Sequence, residues 1–316
     1  MAKRVSVLAV ALVCLLAPPC PVVAWDNEGH MTVAYIAFTK LKPEVRDRAN
    51  ALLKLNPYYS IWFKAIPAGS SEADKQEMIF MLSATWPDEI KRDHKYTADG
   101  TDNGNRPDGA TSSQNVGYSD PLLHKYWHFV DIPFTQDGTP LSGPPIPNAR
   151  TQIVVFRKVL SSSEPDALKS YDLVWLLHLV GDVHQPLHCA SRFSKDLPDG
   201  DAGANLVKLN PQPSNNELHA FWDDILGTSD NPVSAINLGN RIAPADATLA
   251  SDVNVDDWVN ESFEDAEADV YVGPIGAGAG PFTITAAYQN SARALAEKRV
   301  ALAGGRLANV LNTELK

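Results

Sequence analysis

Apolar residues recur at helical spacing through most of the chain. This spacing predicts helices over residues 29–41, 43–55, 72–85, 151–160, 166–185, 217–226 and 285–315. Proline supports two boundaries, because Pro43 suits a first helical turn and Pro186 cannot continue a helix. The last helix should be weakened at Gly304 and Gly305, since glycine is a poor helix former. The pattern therefore predicts a mainly α-helical protein.

Four segments lack this pattern. Residues 97–120 are rich in Gly, Asp, Asn and Ser, residues 133–149 contain five prolines, and residues 194–214 complete the predicted loops. Residues 243–283 are acidic and mixed in character. No repeat of fixed period and no clear linker divides the chain. We therefore expect residues 25–316 to form a single compact multi-helix domain with long loops.

The first 24 residues differ from the rest of the chain. Two basic residues precede an apolar run over residues 5–17, and small residues precede the bond after Ala24. This pattern is typical of a signal peptide cleaved after Ala24. A membrane anchor is the alternative, but the run is shorter than the roughly 20 residues needed to span a bilayer. We expect a secreted or periplasmic monomer without a membrane anchor, beginning at Trp25.

Charge and cysteine content narrow the range of possible functions. The chain carries 27 Lys and Arg against 38 Asp and Glu, a net charge of −11, so binding of nucleic acid through bulk positive charge is disfavoured. Bound metal cations are not part of that count. Cleavage would leave Cys189 as the one cysteine, so no intramolecular disulfide is possible and we expect this thiol to be a bystander. One glycosylation acceptor sequence begins at Asn260.

Histidine and aspartate carry the candidate chemistry. His178 and Asp182 are four residues apart, as are His219 and Asp223, so each pair shares one helix face. The spacing alone leaves a metal site and a hydrogen-bonded core pair equally open. The apolar context of residues 176–188 is more informative, because a buried aspartate there needs a cation or several donors. Imidazole and carboxylate without thiolate suit zinc in hydrolytic sites.

Five short motifs follow one another in a fixed order. They are Trp25-Asp-Asn-Glu-Gly-His30, Trp86-Pro-Asp88, Trp127-His-Phe-Val-Asp131, Gly181-Asp-Val-His-Gln-Pro-Leu-His188 and Leu218-His-Ala-Phe-Trp-Asp223. Together they resemble the trinuclear-zinc single-strand-specific nucleases typified by the fungal nucleases S-one and P-one. Plant bifunctional nucleases and the 3′-nucleotidase/nucleases belong to the same family. The resemblance covers residues 25 to about 226.

The resemblance implies a fold and an activity. The fold would be the mainly α-helical type of zinc phospholipase C and nuclease P-one. The activity would be hydrolysis of single-stranded DNA and RNA to 5′-phosphate products, with 3′-nucleotidase activity on nucleotides as a further expectation. The partners would therefore be single-stranded nucleic acid and nucleotides, acting as substrates.

The resemblance also implies a cofactor of three zinc ions. The matching ligand positions are Trp25, His30, Asp88, His128, His178, Asp182, His188, His219 and Asp223. Trp25 would bind through its α-amine and carbonyl oxygen, and Asp182 would bridge two ions. His188, His219 and Asp223 would hold the third. The histidines that match no ligand are expected at the surface or just behind the ligands; they are His94, His124 and His184.

Four further positions match residues that act on the substrate in this family. Lys91 would offset charge on the phosphate, and Asp131 would orient the attacking water or a bound base. Phe129 and Asn205 would form a nucleobase pocket by stacking and hydrogen bonding. A solvated lysine, a core phenylalanine and an ordinary loop asparagine are the alternatives. The chain has Ala204 where the family usually has a second glycine.

Two other functions stay open from the sequence. A zinc-dependent phospholipase C would share the fold and metals, but its last ligand is typically Glu where this chain has Asp223. An exported zinc-binding protein without enzymatic activity would need neither Lys91 nor Asp131.

Overall fold

The computed structural model describes residues 25–99, 121–144, 146–210 and 216–315. The predicted signal peptide and nearly all of the predicted loop at 97–120 lie outside the described residues. Within the described ranges the chain forms twelve α-helices and two short strands, which confirms the predicted mainly helical fold. No helix in those ranges is both long enough and apolar enough to cross a membrane.

The helices follow one another along the chain in two groups. The first group is α1 Asn27–Lys40, α2 Pro43–Leu53, α3 Tyr59–Ala65, α4 Glu72–Ser83, α5 Trp86–Glu89, α6 Ala149–Leu160 and α7 Asp166–Asp182. The second group is α8 Leu218–Asp223, α9 Pro232–Gly239, α10 Ala247–Ser251, α11 Val255–Asp265 and α12 Ala286–Glu314. The strands are β1 Ile132–Thr135 and β2 Ala190–Phe193.

Helix α7 is the centre of the core. Every residue from Lys169 to Asp182 is buried, so this helix has no solvent-facing side. It packs against α1, α2, α5, α6 and α12. A helix that is apolar on all sides must be enclosed by others. The histidine and aspartate of its last turn are therefore held inside the protein.

The expected weakness in the last helix is wrong. Helix α12 runs unbroken through Gly304 and Gly305. A Cβ at Gly304 would lie 2.6 Å from the Cβ of Ile36 in α1, and a Cβ at Gly305 would lie 2.9 Å from the Cβ of Ala250. The two glycines thus permit close helix crossings, and this packing offsets their propensity cost of about 1 kcal/mol each.

A short parallel strand pair corrects the predicted loop at 133–149. Strand β1 pairs with β2 in a register that places Ile132 opposite Ala190. Just before the pair, the Val130 amide donates to the His188 carbonyl over 2.7 Å. The pairing therefore brings His128 and His188 side by side. Strands of four residues are too short to show a reliable alternation in sequence.

Other boundaries also differ from the prediction. Helix α7 ends at Asp182, and a short 3₁₀ turn follows at Pro186–His188. Helix α4 ends at Ser83, before the separate turn of α5. The acidic segment at 243–283 contains α10 and α11. Helix α10 has only five residues, too few to show a helical period, and the acidic residues of α11 obscured its pattern.

Candidate metal centre

Five buried side chains from four segments of the chain converge on one point. Helix α1 supplies one, α5 one, α7 two, and the turn before β1 one; they are His30, Asp88, His128, His178 and Asp182. None is more than 6% exposed. We call this group the converging cluster. It contains five of the nine predicted ligand residues.

The carboxylate of Asp182 lies at the centre of the converging cluster. Its Oδ1 is 3.3 Å from Nε2 of His30, and its Oδ2 is 3.1 Å from Nδ1 of His128. Nε2 of His178 is 3.4 Å from the same Oδ2. Asp88 stands slightly further out, with Oδ2 at 3.7 Å from Nε2 of His178. The five side chains form one continuous group around Asp182.

The ring of His178 is oriented by the backbone. Its Nδ1 lies 2.8 Å from the Ala84 carbonyl, an atom that can only accept, so Nδ1 carries the proton. Burial lowers the pKa of His178 well below its usual value, so Nε2 holds an electron pair. Nε2 lies 2.9 Å from Nδ1 of His128, and oxygens of Asp182 and Asp88 lie 3.4 and 3.7 Å away. A cation held among these nitrogen and oxygen atoms would be attracted to all of them.

A second group lies beside the first. His188, His219 and Asp223 bring ligand atoms within 4.8 Å of one another. His188 donates from Nδ1 to the His128 carbonyl over 2.7 Å, so its Nε2 is the outward electron pair. His219 is set in the same way by the Gly203 carbonyl, and its Nε2 is 3.4 Å from Oδ2 of Asp223. The His128 residue thus connects the two groups.

Burial sets the protonation of these groups. It lowers the pKa of His30, His128 and His188 well below the usual histidine value, so the rings are neutral. It raises the pKa of Asp182 and Asp223 well above the usual value, with the charge of Asp88 contributing at both. Neutral imidazoles are the form that binds metal, and a cation would return both carboxyls to their ionised form.

Buried polar atoms without hydrogen-bond partners are concentrated in these two groups. Both ring nitrogens of His30, Oδ1 of Asp182 and Nε2 of His188 are buried without a hydrogen-bond partner among the described residues. Buried polar atoms are normally paired, so this concentration needs an explanation. Nitrogen and oxygen donors without sulfur fit a divalent metal such as zinc. Cys189 contributes nothing, since its thiol contacts the Val183 carbonyl and burial raises its pKa to about 12.

Trp25 is packed at the edge of the converging cluster. It is fully buried, and its indole N–H donates to the Gly181 carbonyl over 3.1 Å. A Cβ at Gly29 would lie 2.5 Å from the Cβ of Trp25, and one at Gly181 would lie 2.8 Å from Nδ1 of His30. The two glycines are thus required for Trp25 and His30 to sit together. The role of Trp25 as a ligand stays a prediction.

The predicted substrate residues lie at the same end of the molecule. Lys91 donates from Nζ to Oδ1 of Asp88 over 2.7 Å, with only 3% of its side chain exposed, so it is not a solvated lysine. Phe129, Asp131 and Asn205 line one small cavity. His219 lines the same cavity, so the cavity adjoins the group formed by His188, His219 and Asp223. The structure brings these positions together, and their roles stay predictions.

Gln185 is a buried residue for which sequence reasoning predicted no role. Its Nε2 donates to Oδ1 of Asp223 over 2.8 Å, and its Oε1 accepts from the Leu187 amide over 2.6 Å. It thereby fixes which oxygen of Asp223 faces His219. Gln185 stood inside a quoted motif, but nothing in the motif marked its partner.

The remaining histidines differ from one another. His94 is exposed, as expected. His124 is instead fully buried, stacks on Trp127 at 3.6 Å between ring centroids and pairs with Asp99 over 2.6 Å. His184 is also fully buried, but it belongs to a network of arginines behind α7 and not to the surface. Both are structural core histidines, which spacing could not distinguish from ligands.

Comparison with known proteins adds an independent finding. The family model described as S1/P1 nuclease matches residues 25–316. Endonuclease 2 of Arabidopsis thaliana is 25% identical over 207 residues, which is 65% of this chain and 57% of that protein. Endonuclease 4 of the same plant is 24% identical over 215 residues, or 64% of this chain and 55% of that protein. The chain thus spans a little more than half the length of these curated relatives.

Proposed function

Because the chain belongs to the S1/P1 nuclease family, we propose that it is an exported, zinc-dependent endonuclease that cleaves single-stranded DNA and RNA to 5′-phosphate products. Removal of 3′-phosphate from nucleotides is part of the proposal. The observation that carries it is the convergence of neutral imidazoles and carboxylates whose electron pairs face one another in the buried core. The two Arabidopsis relatives described above carry the name endonuclease, which agrees with this activity.

The proposed cofactor is three zinc ions. Two would lie in the converging cluster and at Trp25, and the third at His188, His219 and Asp223. When bound, zinc supplies Lewis-acid activation of water and stabilisation of the leaving oxygen. The protein contributes fixed ring orientations through the backbone carbonyls of Ala84, His128 and Gly203. Such partners hold ligands in place and raise their basicity.

Lys91 is proposed to act on the phosphate. Its ammonium group contacts Asp88 at the edge of the converging cluster and is almost completely buried. A cation in a water-poor site stabilises negative charge much better than one in solvent. We therefore assign Lys91 to offsetting the charge that builds on the phosphate oxygens. Asp131, in the adjoining cavity, is assigned to orienting water or the base.

The cavity beside His219 is proposed to receive a nucleobase. Its volume of about 10 Å³ suffices for one water molecule, so the cavity must widen when a base binds. Phe129 offers a ring for stacking, and Asn205 offers an amide for the base edge. A base can enter only when it has left the helical stack, so single strands are the preferred substrates. His219, which would hold the third zinc, lines the same cavity, so the base pocket and that metal site would adjoin.

Export and processing belong to the same proposal. Residues 1–24 are proposed as a signal peptide and residues 25–316 as the nuclease domain, acting as a monomer outside the cytoplasm. Cleavage after Ala24 would free the α-amine of Trp25, whose side chain already packs against Gly181 beside the cluster. A tag at Trp25 should therefore reduce zinc binding.

The test uses protein expressed with its own signal. Single-stranded DNA, duplex DNA and a 3′-nucleotide are assayed before and after chelation, with phosphatidylcholine as the competing substrate. We expect cleavage of single strands that chelation abolishes and zinc restores. Cleavage of phosphatidylcholine alone would identify a phospholipase C. Zinc binding without cleavage of any phosphoester would identify a metal-binding protein.

A further inference from the structure

The loop Asp201–Asn205 has an unusual backbone. Ala202, Gly203 and Ala204 have φ angles of 53°, 61° and 66°, so three successive residues are left-handed. For alanine this conformation costs roughly 1–2 kcal/mol per residue. Backbone strain of this kind persists only where the surroundings enforce it, and it concentrates at functional sites.

One buried carboxylate holds this left-handed turn. Asp201 is completely buried. Its Oδ1 accepts from the backbone N–H of Arg192 over 2.9 Å and from that of Ala204 over 3.1 Å. Its Oδ2 accepts from the Tyr271 hydroxyl over 2.8 Å. The bond to Ala204 closes the turn, and the other two attach it to β2 and to the segment after α11.

Arg192 keeps the carboxylate in place from behind. Its guanidinium donates to the carbonyls of Gly276 and Gly278 over 2.7 and 3.0 Å and stacks on the Tyr271 ring at 4.5 Å. Its Nε is 3.9 Å from Oδ2 of Asp201. The arginine is itself 1% exposed, so this support is rigid.

The turn presents two different groups to the site. The Gly203 carbonyl accepts from Nδ1 of His219 over 2.5 Å, which fixes the direction of Nε2. The Asn205 amide nitrogen donates to the Ala202 carbonyl over 2.7 Å, which leaves the amide oxygen as the other end of that side chain. Gly203 has no room for a side chain, since a Cβ would lie 2.5 Å from the Leu187 carbonyl oxygen. This one turn therefore fixes the orientation of His219, a predicted metal ligand, and of Asn205, a predicted contact to the base.

We propose that Asp201 is a positioning residue that couples the base pocket to the third metal site. By holding residues 202–204 in the left-handed conformation, Asp201 orients His219 towards the proposed metal and Asn205 towards the proposed base. Assigning the pocket to a base and His219 to zinc rests on the proposed function. Since coupling free energies are reciprocal, a nucleoside bound in the pocket should tighten zinc binding at His219, and zinc there should tighten the nucleoside.

The test compares Asp201→Asn and Tyr271→Phe with the unaltered protein. Tyr271→Phe removes one hydrogen bond to Asp201 and keeps the ring over Arg192, so it carries the test should Asp201→Asn fail to fold. Asp246→Ala is the matched control, because Asp246 also accepts two backbone N–H groups but caps α10, outside the site. Zinc per chain, KM and kcat are measured on a 3′-nucleotide and on bis(4-nitrophenyl) phosphate, which carries no base.

We expect both variants to bind the third zinc about tenfold more weakly, the scale of losing a partner that orients a ligand. KM for the 3′-nucleotide should rise, while KM for the baseless ester stays constant and its kcat falls with zinc occupancy. Adding the nucleoside should raise zinc affinity in the unaltered protein and less so in the variants. Unchanged zinc affinity together with unchanged KM for the nucleotide would overturn the proposal, as would equal effects in Asp246→Ala.

A rescue experiment separates positioning from general stability. Glycine adopts the left-handed conformation without strain, so Ala202→Gly with Ala204→Gly should restore zinc affinity in the Asp201→Asn protein. Recovery of the melting temperature without recovery of zinc affinity would contradict the proposal. Failure of the proposed function would look different: the unaltered protein would cleave no phosphoester, while the zinc and nucleoside titrations would still report on Asp201.

Discussion

Two polar clusters lie at the same end of α7. They differ in whether their buried polar atoms have hydrogen-bond partners. The converging cluster contains His178 and Asp182 of that helix. The second, which we call the Glu261 cluster, lies behind it and consists of His184, Glu261, Ser262, Arg299 and Arg306. In the Glu261 cluster each charged group has a partner of opposite charge: Arg306 donates twice to Glu261 over 2.7 Å, and Arg299 donates once over 2.9 Å.

A comparison of one histidine from each cluster shows this difference in hydrogen bonding. His184 donates from Nδ1 to the Val180 carbonyl and accepts at Nε2 from Arg306 over 3.1 Å, so both nitrogens are satisfied. In the converging cluster, by contrast, both ring nitrogens of His30 are buried without a hydrogen-bond partner among the described residues, and its Nε2 lies 3.3 Å from Oδ1 of Asp182. A buried cluster that supplies its own donors is structural. One that directs electron pairs at each other needs an external cation.

The largest expected effect comes from Asp182→Asn. Removing the central carboxylate should release metal from the converging cluster. Nuclease activity should fall at least about 100-fold, because losing a ligand costs more than losing a residue that only orients one. The metal-free variant should remain folded, because a neutral amide is easier to bury than a carboxylate. Metal per chain by mass spectrometry and single-strand cleavage measure this. Full metal occupancy in the variant would contradict the account.

The matching substitution in the Glu261 cluster is Glu261→Ala. It leaves fully buried Arg306 without its main acceptor, and breaking such a pair should cost about 3 kcal/mol of unfolding free energy. That is the lower end of the usual range, because the Glu261 side chain is 32% exposed. Denaturant unfolding gives the value. Metal content should not change, and a loss of metal with unchanged stability would reverse the roles of the two clusters.

A smaller effect is expected from Gln185→Leu. This change removes the donor to Oδ1 of Asp223 and should weaken metal binding at His188, His219 and Asp223 about tenfold. The converging cluster should keep its metal, since the hydrogen bonds of the Gln185 side chain go to Asp223 and Leu187, and its backbone bond to the Asp182 carbonyl survives the substitution. Competition with a graded series of chelators separates the two affinities. A uniform loss at all sites would mean that Gln185 supports the fold in general.

The pH dependence of stability is the mildest test. Burial lowers the pKa of five histidines well below 6.5; they are His30, His128, His178, His184 and His188. Below about pH 6.5 these histidines bind protons in the unfolded chain but not in the folded one, so stability falls with falling pH. Asp182 and Asp223, whose pKa is raised well above the usual value, act in the opposite direction but are fewer than the histidines. Burial also raises the pKa of five other carboxyls, which oppose the histidines mainly near the ordinary carboxyl range; they are Asp26, Glu77, Glu89, Asp201 and Asp265.

The matching measurement is denaturant unfolding of the metal-free protein between about pH 7.5 and about pH 5. Hydrogen bonds from Arg306 and Arg299 outweigh burial and lower the pKa of Glu261, so its contribution is lost only below the ordinary glutamate range. Glu261→Gln should therefore leave the slope unchanged. A stability that rises as the pH falls would contradict the assignment of neutral buried histidines.

Sequence reasoning identified the residues that the structure brings together in the two candidate metal groups, because these residues lie within short motifs along the chain. It missed the partners that orient them. Gln185 binds Asp223 across 38 positions, and the Ala84 carbonyl binds His178 across 94. Such contacts exist only once helices pack. The same limit applies to Gly304, whose role is set by Ile36 of another helix.

His124 and His184 illustrate a second limit. Spacing and composition could not tell them from ligands or from surface residues, because their environments come from other elements. The stacking of His124 on Trp127 and the contact of His184 with Arg306 depend on the assembled core. The left-handed turn at Ala202 and Ala204 gave no signal either, since alanine rarely adopts that conformation.

The central claim is that the converging cluster is a metal site while the Glu261 cluster is not. The most direct measurement is anomalous diffraction at the zinc edge from crystals of the processed protein. We predict two zinc peaks within the cluster of His30, Asp88, His128, His178 and Asp182, and a third at His188, His219 and Asp223. We predict no peak at His184. A peak beside His184, or no peak around Asp182 at full zinc loading, would contradict this claim.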